Sequence, residues 1–142
     1  MKKINDRTDI IKILYEFDDV FPHNKEKVID YNEWAEKIYC NGIINAFNDE
    51  GENIGLAVYY ANDMVEKKGY ISLFGLKEKY CGKGLGKLLL DSIINEIREY
   101  GMRYVCLEVD NDNQRAERFY LKYGFIEDEK RSTTQLLRYR IA

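Results

Sequence analysis

Apolar residues at helical spacing open the chain. The first group has the i, i+3, i+4, i+7 spacing of an amphipathic helix and consists of Ile10, Ile13, Leu14 and Phe17. The second group repeats this spacing and consists of Tyr31, Trp34, Ala35 and Ile38. Asp30 stands directly before the second group, and Glu33 follows three residues later, as in a capping box. The pattern therefore predicts two helices, with the one proline, Pro22, between them.

The middle of the chain has the pattern of β-strands. Three short apolar runs, IINAF, IGLAVYY and YISLFGL, begin at Ile43, Ile54 and Tyr70. Polar turn residues separate these runs, with NDEGEN in the first gap and Asn62 and Asp63 in the second. This order predicts an antiparallel meander of three strands.

A glycine-rich stretch then leads into a helix and a further strand. The helix is predicted to end at Gly101, and its apolar face to consist of Leu85, Leu88, Leu89, Ile93 and Ile97. The run YVCLEV, which begins at Tyr104, is almost continuously apolar, as is typical of a buried parallel strand. Strand, helix and strand in this order predict a right-handed parallel crossover.

The last part of the chain predicts one more helix and a hairpin. The helix ends at Gly124 and has apolar residues at helical spacing, namely Ala116, Phe119, Tyr120 and Tyr123. The segments FIEDEK and TTQLLRYRI then have the pattern of two paired strands. The predicted fold class is α/β, with helices around a mixed, mostly antiparallel central sheet.

Composition and charge limit the classes of function. A chain of 142 residues is expected to form a single domain over residues 1–142, and a net charge of -3 gives no reason to expect nucleic acid or a membrane as a partner. The N-terminal sequence MKKINDRTDI lacks the apolar segment of a signal peptide, so a soluble cytoplasmic protein is expected. Cys40, Cys81 and Cys106 have no CxxC spacing, so we expect reduced thiols and no metal site.

The stretch KYCGKGLGKLLL, from Lys79 to Leu90, places three glycines at the start of a predicted helix. Such a turn suits phosphate, because exposed N–H groups and the positive end of the helix dipole meet there. Its GxGxG spacing is not the GxGxxG of dinucleotide-binding proteins, and Cys81 stands where a P-loop needs its first glycine. A purely structural turn explains one glycine, whereas three in register favour an anion.

Two blocks of sequence, YISLFGLKEKYCGKGLGKLLL and LEVDNDNQRAERFYLKYGF, together resemble the motifs of the GNAT (GCN5-related) N-acetyltransferases. The resemblance spans about residues 43–126 and implies a GNAT-like fold that binds acetyl-CoA in a cleft between the strands ending near Leu76 and Val109. It also implies direct transfer of an acetyl group to a primary amine without a metal. The chain departs from the motif at Cys81, where the family usually has Arg or Gln. An alternative is a non-catalytic acyl-CoA-binding or interaction module of the same fold.

The resemblance also implies roles for individual residues. Main-chain groups near Phe74, Gly75 and Leu76 would bind pantetheine, and a main-chain N–H there would polarise the acetyl carbonyl. The pyrophosphate would be wrapped by the loop Cys81, Gly82, Lys83, Gly84, Leu85, Gly86 and Lys87. For the two lysines of that loop, a solvated surface charge is the simpler interpretation.

Two residues of the second block have two interpretations each. Asn113 is either a helix cap, a cofactor ligand, or both. Tyr120 is either a core residue or the general acid that protonates the departing thiolate, and the motif favours the acid. The general base stays open among Ser72 through a water, Tyr59 and Glu33, while His23 is expected to have a surface role.

The acceptor is predicted only as a class. An amino sugar, an amino acid, a polyamine and a protein amine all remain open, and the short chain favours a small-molecule amine. The loop DDVFPHNKEKVID and the hairpin EDEKRSTT are expected to shape its pocket. A monomer or a homodimer is expected.

Overall fold

The computed structural model of the protein describes residues 1–21 and 30–142. Its α-helices are α1 (Arg7–Glu16), α2 (Tyr31–Asn41), α3 (Leu85–Glu99) and α4 (Gln114–Tyr123). Its strands are β1 (Lys2–Lys3), β2 (Ile43–Asp49), β3 (Glu52–Tyr60), β4 (Lys68–Leu76), β5 (Tyr104–Asp110), β6 (Ile126–Lys130) and β7 (Thr134–Arg140). The predictions for Pro22, for His23 and for most of the first predicted pocket loop lie outside the described residues.

The strands form one sheet in the order β1-β2-β3-β4-β5-β7-β6. β4 and β5 are parallel, and all other neighbouring pairs in the sheet are antiparallel. The predicted meander (β2 to β4), the parallel connection from β4 through α3 to β5 and the final hairpin are therefore confirmed. β1 was not predicted, because the two lysines that pair with Ala46 and Asn45 have no apolar pattern.

Three of the helices have an N-cap residue with a polar side chain. Asp6 Oδ1 accepts the backbone N–H of Thr8 at 2.8 Å before α1, and Asp30 Oδ1 accepts that of Glu33 at 3.1 Å before α2. Asn113 begins α4 in the same way. α3 begins instead at Gly84, which offers no side chain to its first turn.

Helices cover both faces of the sheet. In β3, Leu56 and Val58 pack under α1 and α2, while Ala57 and Tyr59 pack under α3 and α4, because successive strand residues point to opposite faces. The predicted apolar residues of α1 are buried with α2 in the first of these cores. None of the helices in the described ranges is long and apolar enough to cross a membrane.

The predicted apolar face of α3 was partly wrong. Leu88 is 61% exposed, whereas Leu90 and Ile94 are buried together with Ile93 and Ile97. Residues two apart on a helix point in nearly opposite directions, so a face centred on Leu90 turns Leu88 to solvent. A run of three leucines does not reveal which of them faces the sheet.

The sheet opens between its two parallel strands. Residues 68–71 of β4 pair with residues 104–107 of β5, and the last pair is Ile71 with Leu107. β4 continues to Leu76 beside β3 alone, while β5 continues to Asp110 beside β7. In the register of β3, Val58 faces Leu73 and Tyr59 faces Ile71, so Ser72 forms a bulge where the strands separate. This opening, here called the β4/β5 cleft, lies where the sequence predicts the acetyl-CoA site.

Candidate active site

The far end of β4 has backbone groups without a strand partner. Phe74, Gly75 and Leu76 pair with Ala57, Leu56 and Gly55 of β3, and among the described residues they have no strand on their other side. Backbone N–H and C=O groups point alternately to the two sides of a strand, so about half of those in this segment face the β4/β5 cleft. Such groups can bind an extended ligand, as the sequence predicts for pantetheine.

Gly75 is closely packed on its side-chain side. A Cβ atom there would lie 3.0 Å from Val20 Cγ1 and 3.1 Å from Phe21 Cε1. The absent side chain therefore makes room for the residues that follow α1. The main-chain contact between Gly75 and a ligand stays a prediction.

Phe119 joins three elements beside the cleft. Its ring stacks on that of Phe74 with centroids 6.3 Å apart. A Cβ added to Gly86 would lie 3.2 Å from the Phe119 ring, so Gly86 lets α3 approach α4 closely. The end of β4, the start of α3 and the face of α4 thus meet at one aromatic side chain. The sequence places Phe119 on the apolar face of α4 but did not indicate this junction.

The glycine loop presents a series of free backbone donors. Gly82 and Gly84 have φ values of +77° and +78°, and a Cβ on either would meet open space. Within the described residues, no acceptor bonds the backbone N–H groups of residues 82–87 outside the regular hydrogen bonds of α3. The first turn of α3 also contains no acidic residue. Consecutive free N–H groups at a positive helix end suit an anion such as pyrophosphate.

Cys81 is tied into the loop itself. Its N–H donates to the Glu78 carbonyl at 3.1 Å. Its thiol is directed at the carbonyl oxygens of Leu76 and Lys77, at 3.7 and 3.6 Å. The donors offered by the loop therefore begin one residue later, at Gly82. All three cysteines of the chain are free thiols.

The two lysines of the loop are exposed. Lys87 Nζ lies 3.6 Å from Asp91 Oδ2, one helical turn further on. Lys83 makes no ion pair with any residue that the structure describes. Both positions allow a contribution to the local positive potential, and a direct contact with a ligand stays a prediction.

Asn113 is a helix cap in the structure. Its Oδ1 accepts the backbone N–H of Ala116 at 3.1 Å. This bond confirms the capping interpretation, and a contact with a cofactor through the side-chain amide stays a prediction.

Tyr120 is buried beside the aromatic junction. It is 8% exposed, and its ring makes edge contacts with Phe119 and Phe125 at centroid distances of 5.2 and 5.4 Å. Burial raises the pKa of its hydroxyl above the ordinary value, so the group keeps its proton at neutral pH. A protonated hydroxyl can donate, which fits a general acid as well as a core tyrosine.

The structure argues against one candidate for the general base, Tyr59, and locates the other two. Tyr59 is buried, its hydroxyl accepts a hydrogen bond from Asn45 at 2.5 Å, and burial raises its pKa, so it is a poor base. Glu33 lies in the first turn of α2. Ser72 stands at the bulge where the cleft begins. The sequence did not single out Glu108, the residue after the last pair between β4 and β5.

A cleft between parallel strands, bounded by a turn of free N–H groups and an apolar helix, has the features that the sequence predicts for an acetyl-CoA site. The family model of the acetyltransferase (GNAT) family matches residues 8–125. The chain therefore belongs to the GNAT family, which confirms the resemblance and the fold class.

Known proteins show the same relationship. The uncharacterised N-acetyltransferase YdgE of Bacillus subtilis is 36% identical over 93 residues, covering 65% of this chain and 59% of YdgE. The spermine/spermidine N(1)-acetyltransferase of the same organism is 33% identical over 82 residues, covering 54% of each protein. The match thus spans little more than half the length of these curated relatives.

Solved structures share the fold. A GNAT family acetyltransferase from Elizabethkingia anophelis with acetyl-CoA bound superposes with a TM-score of 0.64 at 19% identity. The superposition covers 85% of this chain and 96% of that one.

Proposed function

We propose that the protein transfers an acetyl group from acetyl-CoA directly to a primary amine of a small molecule. The observation that carries this proposal is the β4/β5 cleft, which opens beside the free N–H groups of residues 82–87. A nucleotide-linked thioester needs both parts, an anion site for its phosphates and a strand edge for its extended arm.

The chemistry of the residues present supports acetyl-CoA as the acetyl donor. Free N–H groups of Gly82 to Lys87 would hold the pyrophosphate, and those of Phe74 to Leu76 that face the cleft would bind the pantetheine arm. The acetyl-CoA seen in the Elizabethkingia anophelis relative supports the same donor. Acetyl-CoA supplies an acyl group already activated as a thioester.

The transfer requires three tasks of the protein. The nitrogen lone pair attacks the carbonyl carbon, the amine releases a proton to solvent, from which Tyr120 later regains its own, and the carbon–sulfur bond breaks with its electron pair on sulfur. A backbone N–H of β4 that faces the cleft would stabilise the developing negative charge on the carbonyl oxygen. Tyr120, which keeps its proton because it is buried, would donate that proton to the thiolate.

The acceptor is proposed from a relative. That relative is named for spermine and spermidine, which are small amines. A single domain over residues 1–142, a cytoplasmic location and a monomeric or homodimeric state stay predictions.

The test is thioester consumption with acetyl-CoA and a panel of primary amines. We expect free coenzyme A to appear in proportion to an acetylated amine. Tight binding of acetyl-CoA without transfer to any amine would contradict the proposed acetyl transfer and favour a non-catalytic acyl-CoA-binding module.

A further inference from the structure

The segment between β4 and α3 is held at its first residues and free at its last ones. Lys77 continues the pairing of β4 with β3, because its N–H donates to the Ile54 carbonyl at 2.9 Å. The N–H groups of residues 82–84, in contrast, donate to no acceptor within residues 1–21 and 30–142. The shape of the glycine loop therefore depends on how firmly its two ends are fixed.

Tyr80 ties this segment to another part of the sheet. Its hydroxyl donates to Glu52 Oε2 at 2.6 Å, and Glu52 lies 28 residues earlier in the chain. The Tyr80 ring packs against the core under α3 and α4. Lys79 Nζ lies 2.9 Å from Glu52 Oε1. One carboxylate thus binds two consecutive residues, and the second of them stands two positions before Gly82, the first free donor.

Both partners of the Tyr80–Glu52 bond have the protonation state that the bond needs. The hydrogen bond from Tyr80, followed by that from Lys79, lowers the pKa of Glu52 below its ordinary value. The same bond with Glu52 raises the pKa of the Tyr80 hydroxyl. At neutral pH a protonated hydroxyl therefore donates to a charged carboxylate, which is a stronger hydrogen bond than one between two neutral groups.

Glu52 itself has a fixed position. It is the first residue of β3 and pairs with Asp49 of β2. Glu50 and Gly51, the two residues between these strands, have φ values of +50° and +82°. Two-residue turns with this left-handed backbone suit the twist of a hairpin. The short turn leaves Glu52 little freedom, so Tyr80 is bound to a rigid part of the sheet.

The other end of the glycine loop is fixed by α3. Gly86 lets this helix pack closely on Phe119, since an added Cβ would lie 3.2 Å from the ring. Gly82 and Gly84, with φ values of +77° and +78°, stand between the helix and Tyr80. Glycine has more conformational freedom than any other residue, so this loop needs two fixed ends to present its N–H groups in one arrangement.

We propose that Tyr80 and Glu52 are positioning residues for acetyl-CoA, and that their hydrogen bond holds the glycine loop in the arrangement that binds the phosphates. The inference rests on the proposed function. A ligand that meets donors already in place has less ordering to impose on the protein, so it binds more tightly. Because neither residue takes part in the proposed transfer, the bond raises the affinity for acetyl-CoA and leaves kcat unchanged.

The first test removes the Tyr80 hydroxyl alone. In Tyr80→Phe, calorimetry should show a Kd about threefold to tenfold higher for coenzyme A and for inorganic pyrophosphate, as the loss of one hydrogen bond to a carboxylate allows. The Kd for pantetheine, which would bind β4, should stay unchanged, as should kcat at saturating acetyl-CoA. A parental Kd for pyrophosphate would overturn the inference. Equal weakening for pyrophosphate and pantetheine would also overturn it, because the bond would then support the fold in general.

A second variant, Glu52→Ala, separates positioning from charge. Loss of a negative charge near the loop would by itself tighten the binding of pyrophosphate, whereas loss of the fixed end weakens it. We expect binding about threefold to tenfold weaker, and a double variant with Tyr80→Phe should bind about as weakly as Glu52→Ala, because both changes remove the same bond. Tighter binding in Glu52→Ala would mean that Glu52 acts through its charge, and would overturn the inference.

The matched control is Glu36→Ala. This change breaks an exposed ion pair of 2.6 Å with Arg7, between α1 and α2, and should keep the parental Kd for pyrophosphate. Thermal melting checks that all variants are folded.

The parent protein separates this inference from the proposed activity. Weaker binding of coenzyme A in both variants, without transfer to any amine by the parent protein, would overturn the activity and keep the positioning role. A parent protein that acetylates an amine, with parental Kd values in both variants, would keep the activity and overturn the positioning role. A parent protein that binds neither coenzyme A nor pyrophosphate would overturn both.

Discussion

Tyr120 combines an apolar setting with one polar atom. Its ring packs against Phe119 and Phe125, and no group of the described residues is hydrogen-bonded to its hydroxyl. A hydroxyl in such surroundings keeps its proton, because the charged phenolate would lose hydration. The same burial that makes Tyr120 resemble a core residue thus makes it a persistent proton donor.

Tyr120→Phe separates the two roles. The change keeps the ring and removes only the hydroxyl, so a core residue would show near-normal turnover. If Tyr120 is the general acid, kcat should fall by at least about tenfold, since such catalysis contributes on the order of 100-fold or more. Steady-state kinetics with an active amine measures kcat, and thermal melting checks the fold.

The matched control is Tyr123→Phe on the same helix. The Tyr123 hydroxyl bonds Asp91 Oδ1 at 2.5 Å, so this variant also loses a tyrosine hydroxyl but should keep the parental kcat. A folded Tyr120→Phe protein with parental kcat would mean that Tyr120 is a core residue and not the general acid.

The pH profile gives a second test of Tyr120. A general acid is active while it is protonated, so its contribution to kcat is lost as the pH rises through its pKa. Because burial raises the pKa of Tyr120 above its usual value near 10, kcat should not decline between about pH 7 and 10 on its account. A fall in kcat near pH 8 that disappears in Tyr120→Phe would keep Tyr120 as the acid and contradict its raised pKa.

At the scale of elements, the two ends of α3 offer a matched pair of glycines. Gly84 at its start and Gly101 just after its end have φ values of +78° and +90°, and a Cβ on either meets open space. Gly84→Val should raise the Kd for acetyl-CoA by at least about tenfold, because a side chain would obstruct the phosphate turn. Gly101→Val carries a similar backbone strain and should leave the Kd unchanged.

Calorimetry on the two folded variants gives the comparison. Equal Kd values for Gly84→Val and the parent protein would refute the phosphate role of the turn. Gly86→Val is less informative, because a Cβ there already lies 3.2 Å from Phe119 and a larger side chain would push α3 from α4.

The elements show which features a sequence can reveal. The helical spacing of α1 and α4, the meander and the glycine turn each depend on residues close together in the chain, and all were predicted. The exposed Leu88, the packing of Val20 on Gly75 and the junction at Phe119 depend on which elements meet in space. Glu108 was missed for the same reason, because its position matters only once β4 and β5 are known to separate beside it.

At the scale of the whole molecule, the β4/β5 cleft divides the sheet into two parts. β1 to β4 carry α1 and α2, while β5, β7 and β6 lie beyond the opening, and the two parts are joined in the sheet by four residue pairs. Along the chain, the glycine loop of residues 82–87 comes after β4, and Tyr120 comes after β5. A ligand that fills the cleft would therefore contact both parts at once and restrict their separation.

Hydrogen exchange can test whether one ligand spans the cleft. Amides of residues 82–87 and the cleft-facing amides of residues 72–76 have no strand partner there, so we expect them to exchange quickly in the free protein. Coenzyme A at about 100 times its Kd should slow exchange at both segments by at least about tenfold. Inorganic pyrophosphate should protect only the turn, and pantetheine only the β4 segment. Protection of both segments by pyrophosphate alone would mean that the turn and the cleft do not form one donor site.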